Sequence, residues 1–237
     1  MDDGELKSYA LQGTTEHILN FMEGMKKGFV LDIPSGQGAL SKKLESMGFT
    51  VFLGDLEGEN ILYRNMRVAQ LNLNHLLPFK DRMFDFVICI EGIEHIENSH
   101  HLIRECSRVL KSNGYLLLST PNVMSVKSRI RFLFYSYLDY FKYYGSIAEE
   151  SRHRLDDYDH QHINPVFYGE IKYILKKYGF SIEKIEANRK VKKWKIIYPM
   201  IKWLIKNKTK KRFRKDPFYL SDALLEGEDL LYIARLS

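Results

Sequence analysis

Apolar and polar positions alternate between two rhythms along the first 187 residues. Residues 28–33, 49–54, 67–71, 84–90 and 115–120 are short runs, apolar on both faces. Such runs predict strands of a parallel sheet that helices cover on both sides. Between them, residues 39–47 and 99–110 have helical spacing. In the second, Leu102, Ile103, Cys106, Val109 and Leu110 form one apolar stripe, and Asn113-Gly114 is a stop signal. Strands alternating with helices predict an α/β fold with a doubly wound, mostly parallel sheet.

Beyond residue 120 the rhythm loosens. Residues 132–144 hold eight aromatics in 13 positions, and a polar, His-rich stretch follows over 149–164. Residues 166–178 return as a helix with Ile171, Ile174 and Leu175 inward and Gly179 as its stop. Residues 180–187 and 229–236 alternate like strands, which predicts an antiparallel pair at the sheet edge. The chain reads as one domain over 1–237, with a lid region at 121–165 and an insertion at 188–228 between the last two strands. No internal repeat and no Gly/Ser linker occur.

Charge changes this picture in one respect. Lys and Arg number 36 against 30 Asp and Glu, a net charge of +6. Thirteen of those cations fall in the 27 residues from Arg189 to Lys215, which contain no acid. The remainder carries 23 basic and 30 acidic residues, a net of −7. The basic character belongs to one segment on a mildly acidic body, which excludes a domain that binds nucleic acid with its whole surface. A content of 15 Tyr, 14 Phe and 2 Trp excludes a disordered chain. Cys89 and Cys106 are too few for a disulfide scaffold and sit among apolar neighbours, as reduced core thiols do. The opening MDDGELKSYA lacks the apolar core of a secretory signal, and no apolar run approaches the roughly 20 residues that span a bilayer. A cytoplasmic protein is expected.

Candidate chemistry begins where the first strand ends. Asp32-Ile33-Pro34-Ser35-Gly36-Gln37-Gly38 leads into a helix. Gly36 and Gly38 let backbone approach a ligand closely, and the helix start offers free N–H groups. In open α/β sheets ligands settle in this crevice. Asp55 ends the second strand, 17 residues beyond Gly38, where a carboxylate accepts hydrogen bonds from ribose hydroxyls. The loop lacks the G-x-G-x-x-G spacing, and no Gly-Lys-Ser/Thr phosphate loop occurs, which disfavours NAD and ATP.

Five motifs in order carry a resemblance. They are Asp32-x-x-x-Gly36-x-Gly38, Gly54-Asp55, Leu77-Pro78-Phe79-x-Asp81-x-x-Phe84-Asp85, Glu91-Gly92-Ile93-Glu94-His95 and Leu110-Lys111-x-x-Gly114-Tyr115-Leu116-Leu117. Over residues 28–187 they resemble class I S-adenosylmethionine-dependent methyltransferases. The resemblance implies a seven-stranded Rossmann-like sheet with an antiparallel C-terminal strand, and S-adenosylmethionine as cofactor. It places Gly36 and Gly38 against the amino-acid part of the cofactor, Asp32 as the residue that shapes the loop, and Asp55 on the ribose. Ser35, Leu56, Leu73 and Ile90 complete the implied cofactor-binding set. Asn72 stands where relatives carry an acid that receives the adenine amino group, and its side-chain carbonyl can accept the same bond. Pro34 replaces the commoner first glycine of the loop.

Glu91 ends the fourth strand and His95 follows four residues on, so on a helix the two share a face. Methyl transfer from a sulfonium is an in-line displacement, and a neutral oxygen or nitrogen nucleophile must shed a proton. A His oriented by a carboxylate is suited to take it. His95 and Glu91 are therefore the candidate catalytic residues. Two other readings stay open. Both residues can simply satisfy the crevice edge. Alternatively Glu91, Glu94 and His95, with His160 and His162, can bind a divalent metal. Glu-x-x-Glu-His also resembles the metal-binding stretch of small-RNA 2′-O-methyltransferases, and Ser119-Thr120-Pro121-Asn122 resembles the stretch beside it. His-x-His-Ile-Asn-Pro equally resembles a plain loop of bacterial small-molecule methyltransferases, with Asn164-Pro165 as a helix start, and no resident metal is expected. His100 and His101 are expected to be solvated.

Residues 132–144 fall where such relatives place the lid over the acceptor, so their rings either stack on a planar or sugar acceptor or cover the core. The basic insertion contains Trp194 and Trp203. Ile197, Ile201, Leu204 and Ile205 share a helical face with Lys202 and Lys206 beside it, the pattern of an interfacial helix on an anionic leaflet. A solvated helix packing on the body, or a polyanion site, are the competing readings. The expected protein is a methyltransferase acting on a small acceptor, a hydroxyl of a sugar or lipid-linked glycan. It is cytoplasmic, and residues 189–215 would bring it to an anionic surface at the inner face of the membrane. A metal-assisted RNA 2′-O-methyltransferase and a non-catalytic S-adenosylmethionine-binding scaffold at a membrane are the alternatives; nucleic acid is not the expected partner.

Overall fold

Strands that are apolar on both faces can be buried only if each face meets its own core, and that is the arrangement here. In the computed structural model, which describes residues 6–8, 10–11, 13–63, 67–141, 162–189 and 197–237, strands β1 (Phe29–Asp32) and β4 (Phe84–Cys89) run parallel, with Leu31 beside Val87. Val30, Phe86 and Ile88 join one apolar cluster, and Leu31, Val87 and Cys89 join the other. Helices α1 (Thr14–Glu23) and α2 (Ala39–Ser46) close the first through Ile18, Met22 and Leu44. Helices α3 (Ser99–Val109) and α5 (Tyr168–Lys177) close the second through Leu102, Ile103, Ile171 and Ile174.

The remaining strands are β2 (Thr50–Asp55), β3 (Val68–Gln70), β5 (Leu110–Pro121), β6 (Phe180–Ala187) and β7 (Asp229–Leu236). Their order is β3-β2-β1-β4-β5-β7-β6. The first five are parallel, and β7 lies antiparallel between β5 and β6. This is the α/β sheet with an antiparallel C-terminal strand that the sequence predicts. The chain leaves β1 toward one side of the sheet and β4 toward the other, so a crevice opens between their carboxyl ends.

Some boundaries differ for physical reasons. β5 begins directly at the end of α3, and residues 111–114 bulge: Leu110 pairs with Phe84, yet Tyr115 pairs with Phe86. Asn113, at φ 65°, turns within this bulge. α1 escapes the sequence reading because its inward stripe is Thr14, Ile18 and Met22, with a polar first member.

Between β6 and β7 lie α6 (Ile197–Thr209), a 3-10 turn at Pro217–Leu220 and α7 (Asp222–Glu226). A third apolar cluster holds them to helix α4 (Val126–Tyr135), through Val126, Ile130, Tyr198, Ile201, Ile205 and Leu225. The inward face of α6 therefore differs from the predicted one. Tyr198 anchors it, donating to the Leu225 carbonyl at 2.9 Å, while Leu204 is 42% exposed. Lys202 and Lys206 do not flank a free face either. Lys202 pairs with Glu226 at 2.6 Å and Lys206 with Asp222 at 2.9 Å, acids that α7 brings opposite them. Trp194, His160, Tyr143 and Tyr144 lie outside the described residues.

Candidate active site

The glycine loop is held by its own strand ends. The Ser35 N–H donates to the Gly54 carbonyl at 2.9 Å, and the Gly36 N–H donates to Asp55 Oδ2 at 2.8 Å. Asp55 Oδ1 accepts the Glu57 N–H at 3.3 Å, so this carboxylate joins the ends of β1 and β2. Gly38, at φ 86°, is the N-cap of α2, and a Cβ there would lie 2.7 Å from Tyr63 Cβ. Only glycine turns here without strain or collision. Asp32, 2% exposed, accepts from Ser41 Oγ at 2.6 Å. Burial raises its pKa to about 7, against that hydrogen bond and with the Asp55 charge adding to the rise.

A cavity of about 570 Å³ opens at this point, well within the range of small-molecule sites. One end is lined by Asp32, Ser35, Gly36, Asp55 and Leu56, with Asn72, Leu73 and Ile90 along the wall. The structure thus brings together the sequence-named residues, except that Gly38 sits behind the loop against Tyr63 and Leu53. Ser35 Oγ is buried without a hydrogen-bond partner. Asn72 Oδ1 already accepts the Asn74 N–H at 2.8 Å, which leaves it one lone pair for a ligand. The N-terminal segment supplies a wall that no motif announces: Lys7, Ser8 and Leu11 line the cavity, and the Lys7 N–H donates to Gln37 Oε1 at 2.8 Å.

The other end is built around Glu91 and His95. Glu91 has φ 50°, a left-handed conformation that costs a non-glycine residue free energy, of the kind stored at functional sites. Gly92 next to it admits no Cβ, since one would lie 2.6 Å from Pro34 Cδ. Residues Ile93–His95 form a 3-10 turn rather than α-helix, so Glu91 and His95 do not share the face of an α-helix. Glu91 Oε1 accepts from Ser119 Oγ at 2.9 Å, and Glu94 Oε2 accepts from Thr120 Oγ1 at 3.1 Å. Asp229 Oδ2 accepts from Thr14 Oγ1 at 2.8 Å.

Glu91, Glu94 and Asp229 are buried close enough for their charges to raise one another's pKa. Carboxyls so placed must share protons. Burial, then the Glu94 charge, lifts Glu91 to about 8. Burial, with Asp229 adding, lifts Glu94 to about 8. Asp229 is likewise raised, by burial and the Glu91 charge. Asp229 opens β7 and Thr14 opens α1, far from any motif, so sequence reasoning missed both.

His162 reaches the site because the Ile163 and Asn164 N–H groups both donate to the Glu94 carbonyl at 2.9 Å. Its ring meets that of His95 edge-on, with centroids 4.7 Å apart. Burial and the neighbouring His95 lower its pKa to about 4, against a hydrogen bond to the Tyr140 backbone. Glu94, His95 and His162 each offer one ligand atom within 4.8 Å of the others, so this trio is where a metal ion could be held. Glu94 Oε1 and His162 Nδ1 are buried without partners. Tyr140 lines the same end of the cavity. In contrast, Phe132, Leu133, Phe134 and Tyr135 point to solvent at 59–75% exposure, so this part of the predicted lid does not cover the site. His100 is half-buried, with its ring beside those of Tyr173 and Tyr178, and His101, also half-buried, has Nδ1 3.0 Å from Arg104.

Comparison with known proteins sets this geometry in context. A family model described as a methyltransferase domain matches residues 9–185. The ubiquinone biosynthesis O-methyltransferase of Glaesserella parasuis is 31% identical over 107 residues, 39% of this chain and 45% of that protein. The protein of the same name from Rickettsia typhi is 33% identical over 100 residues, 39% of this chain and 41% of that one. The matches span less than half of either relative. Among solved structures, a SAM-dependent methyltransferase from Archaeoglobus fulgidus matches with a TM-score of 0.58 at 20% identity, covering 93% of this chain and 90% of that one. A putative methyltransferase from Bacillus halodurans matches with a TM-score of 0.58 at 19% identity, covering 93% and 97%. At these identities the likeness concerns the fold.

Proposed function

The chain belongs to the class I S-adenosylmethionine-dependent methyltransferases, and on that premise we propose that it transfers the cofactor's methyl group to a hydroxyl of a small acceptor. One observation carries the reading: a single cavity holds a nucleoside-type end at Asp55 and a polar, histidine-bearing end at Glu91 and His95. The residues present suit the cofactor. Ser35 Oγ is buried and unpartnered, each Asp55 oxygen accepts one backbone N–H and keeps a second lone pair for ribose, and Leu56, Leu73 and Ile90 offer apolar walls to a flat ring. S-adenosylmethionine, when bound, supplies a methyl group on a positively charged sulfur. The chain's own part is to hold the acceptor oxygen in line and to accept its proton.

His95 takes that proton in this reading. Glu91 cannot, because a carboxyl raised to about 8 by burial holds its own proton at neutral pH. Its part is to form the polar wall that orients the acceptor. Relatives named as O-methyltransferases support oxygen as the acceptor atom. The acceptor we assign is a sugar or lipid-linked-glycan hydroxyl, for which the Tyr140 and His162 rings supply a stacking wall. An acceptor of the second kind would be presented at a membrane surface.

Asp55→Ala is expected to weaken S-adenosylmethionine binding by about 10- to 100-fold in calorimetry, because a charge-assisted hydrogen bond and the brace on the loop are lost together. Wild-type protein that gives no heat with the cofactor would remove the whole reading. His95→Ala is expected to lower kcat by about 10²- to 10⁴-fold with cofactor affinity unchanged. A second reading, metal-assisted transfer, is favoured by the two unpartnered ligand atoms at Glu94 and His162. Activity lost to EDTA and restored by a divalent ion selects it; activity indifferent to EDTA selects His95 acting alone.

A further inference from the structure

Seven large apolar side chains stand in solvent on two helices that pack on each other. The last turn of α4 carries Phe132, Leu133, Phe134 and Tyr135, and the outer face of α6 carries Met200, Trp203 and Leu204 at 56, 61 and 42% exposure. The shared cluster of Val126, Ile130, Tyr198, Ile201 and Ile205 makes these two helices one unit. Positions 200, 203, 204 and 207 fall on one helical stripe, opposite the anchors Tyr198, Ile201 and Ile205. On the same spacing the chain continues to Lys211 and Arg214, through backbone bonds from Lys210 to Lys206 and from Phe213 to Thr209. Lys208, Lys210, Arg212 and Lys215 flank that stripe, and all six cations are exposed. Lys202 and Lys206 are neutralised by Asp222 and Glu226, but no ion pair engages these six among the described residues.

From this arrangement we infer that α6, its basic extension and the end of α4 form a docking face for an anionic bilayer. The face is apolar over its first two turns and cationic beyond, so its partner must offer an apolar layer beside a layer of negative charge. A leaflet with acidic headgroups does so: aromatic and aliphatic side chains sink to the acyl boundary while Lys and Arg stay with phosphates. Nucleic acid would satisfy the cations but leave Leu133, Met200 and Leu204 unmatched. An acidic protein surface would offer charge without the apolar layer. The face is not the one that the sequence pattern suggests, since Ile201 and Ile205 of the predicted stripe pack onto the body.

The docking face adjoins the cavity. Asp139 is bonded to Lys127 at 2.6 Å and to Arg131, both on α4, and the next residue is Tyr140 in the cavity wall. The apolar end of α4 thus lies five residues from the acceptor end of the site. The inference rests on the surface alone and would stand if the acceptor were water-soluble.

The experiment is flotation of the full chain with phosphatidylcholine vesicles, with and without about 30% phosphatidylglycerol, which separates charge from apolar attraction. At least about tenfold more protein is expected on the anionic vesicles, with release as salt screens the surface. Trp203→Glu with Leu133→Glu removes the apolar half, and Lys210→Glu, Lys211→Glu and Arg214→Glu remove the cationic half; each set is expected to abolish flotation. Calorimetry with S-adenosylmethionine, unchanged in both sets, shows that the variants are folded and that a failure of docking is separate from a failure of the site. Absence of wild-type flotation, equal flotation on neutral vesicles, or flotation that survives both variants would overturn the inference. So would wild-type self-association in light scattering that Trp203→Glu abolishes without any vesicle binding, since the face would then join two copies.

Discussion

Replacing Gly38 with valine is expected to abolish S-adenosylmethionine binding and to lower the unfolding free energy by about 2–4 kcal/mol. Two costs combine at this position. Its φ of 86° is open to glycine and strained for a β-branched side chain, and the first added carbon would lie 2.7 Å from Tyr63 Cβ and 3.1 Å from Leu53 Cδ2. Leu53 is fully buried on β2, between β1 and β3, and cannot retreat cheaply. Relief must come from the loop itself, and any movement of it pulls the Gly36 N–H away from Asp55. Gly48→Ala is the matched control. It shares a φ of 92° but would meet only Lys27 Cγ, at 3.8 Å, so strain is its only cost, about 1–2 kcal/mol with binding intact. Thermal unfolding and calorimetry on the two variants check this. Equal binding by both would show that the shape of the loop does not matter.

Stability is expected to fall as pH rises from about 5 to about 8.5, by roughly 1.4 kcal/mol per pH unit for each proton that the folded state alone retains. Glu91, Glu94 and Asp229 set this sign. Their folded pKa values lie above that of an unfolded carboxyl, to about 8 for Glu91 and Glu94. Their contribution is therefore fully present below about pH 4.5 and is lost as pH passes through the folded values. Asp32, raised to about 7, adds in the same direction. Asp222, held at about 2 by Lys202 and then Lys206, has the opposite sign, but its contribution is lost only in strong acid; His162, lowered to about 4, also opposes the fall and offsets one such proton below about pH 6.5. Glu94→Gln removes one ionisable member while keeping a group that can bond to Thr120. It is expected to be about 2–3 kcal/mol more stable than wild type at pH 8.5 and close to it at pH 5.5, read by denaturant unfolding. A wild-type curve that rises between these pH values would show that the three acids are not sharing protons.

The glycine loop, Asp55 and the alternation of strands with helices were legible because each depends on contacts between near neighbours in the chain, or on a periodicity that needs no partner. Gly36 and Gly38 mark a turn, Asp55 marks a strand end, and alternating apolar runs demand cover on both faces. The proton-sharing acids were only partly legible. Glu91 and Glu94 stand in one motif, but Asp229 comes from the last strand and Thr14 from the first helix. Nothing local distinguishes either residue from a polar cap. His162 was visible as a histidine, yet its place beside His95 depends on two backbone bonds to the Glu94 carbonyl.

The basic segment shows where the division lies. By itself the sequence determined that 13 cations are concentrated in 27 residues on an otherwise acidic body, and that a helix with tryptophan falls among them. Tertiary structure alone decided which face of that helix is free. A helical stripe of mixed residues packs in whichever orientation its neighbours make most favourable. Here Tyr198 is anchored on Leu225, and α7 presents Asp222 and Glu226 to Lys202 and Lys206. Those partners lie 16 to 27 residues away along the chain, beyond the reach of any periodicity. Once they claim one side, Met200, Trp203 and Leu204 are left facing outward.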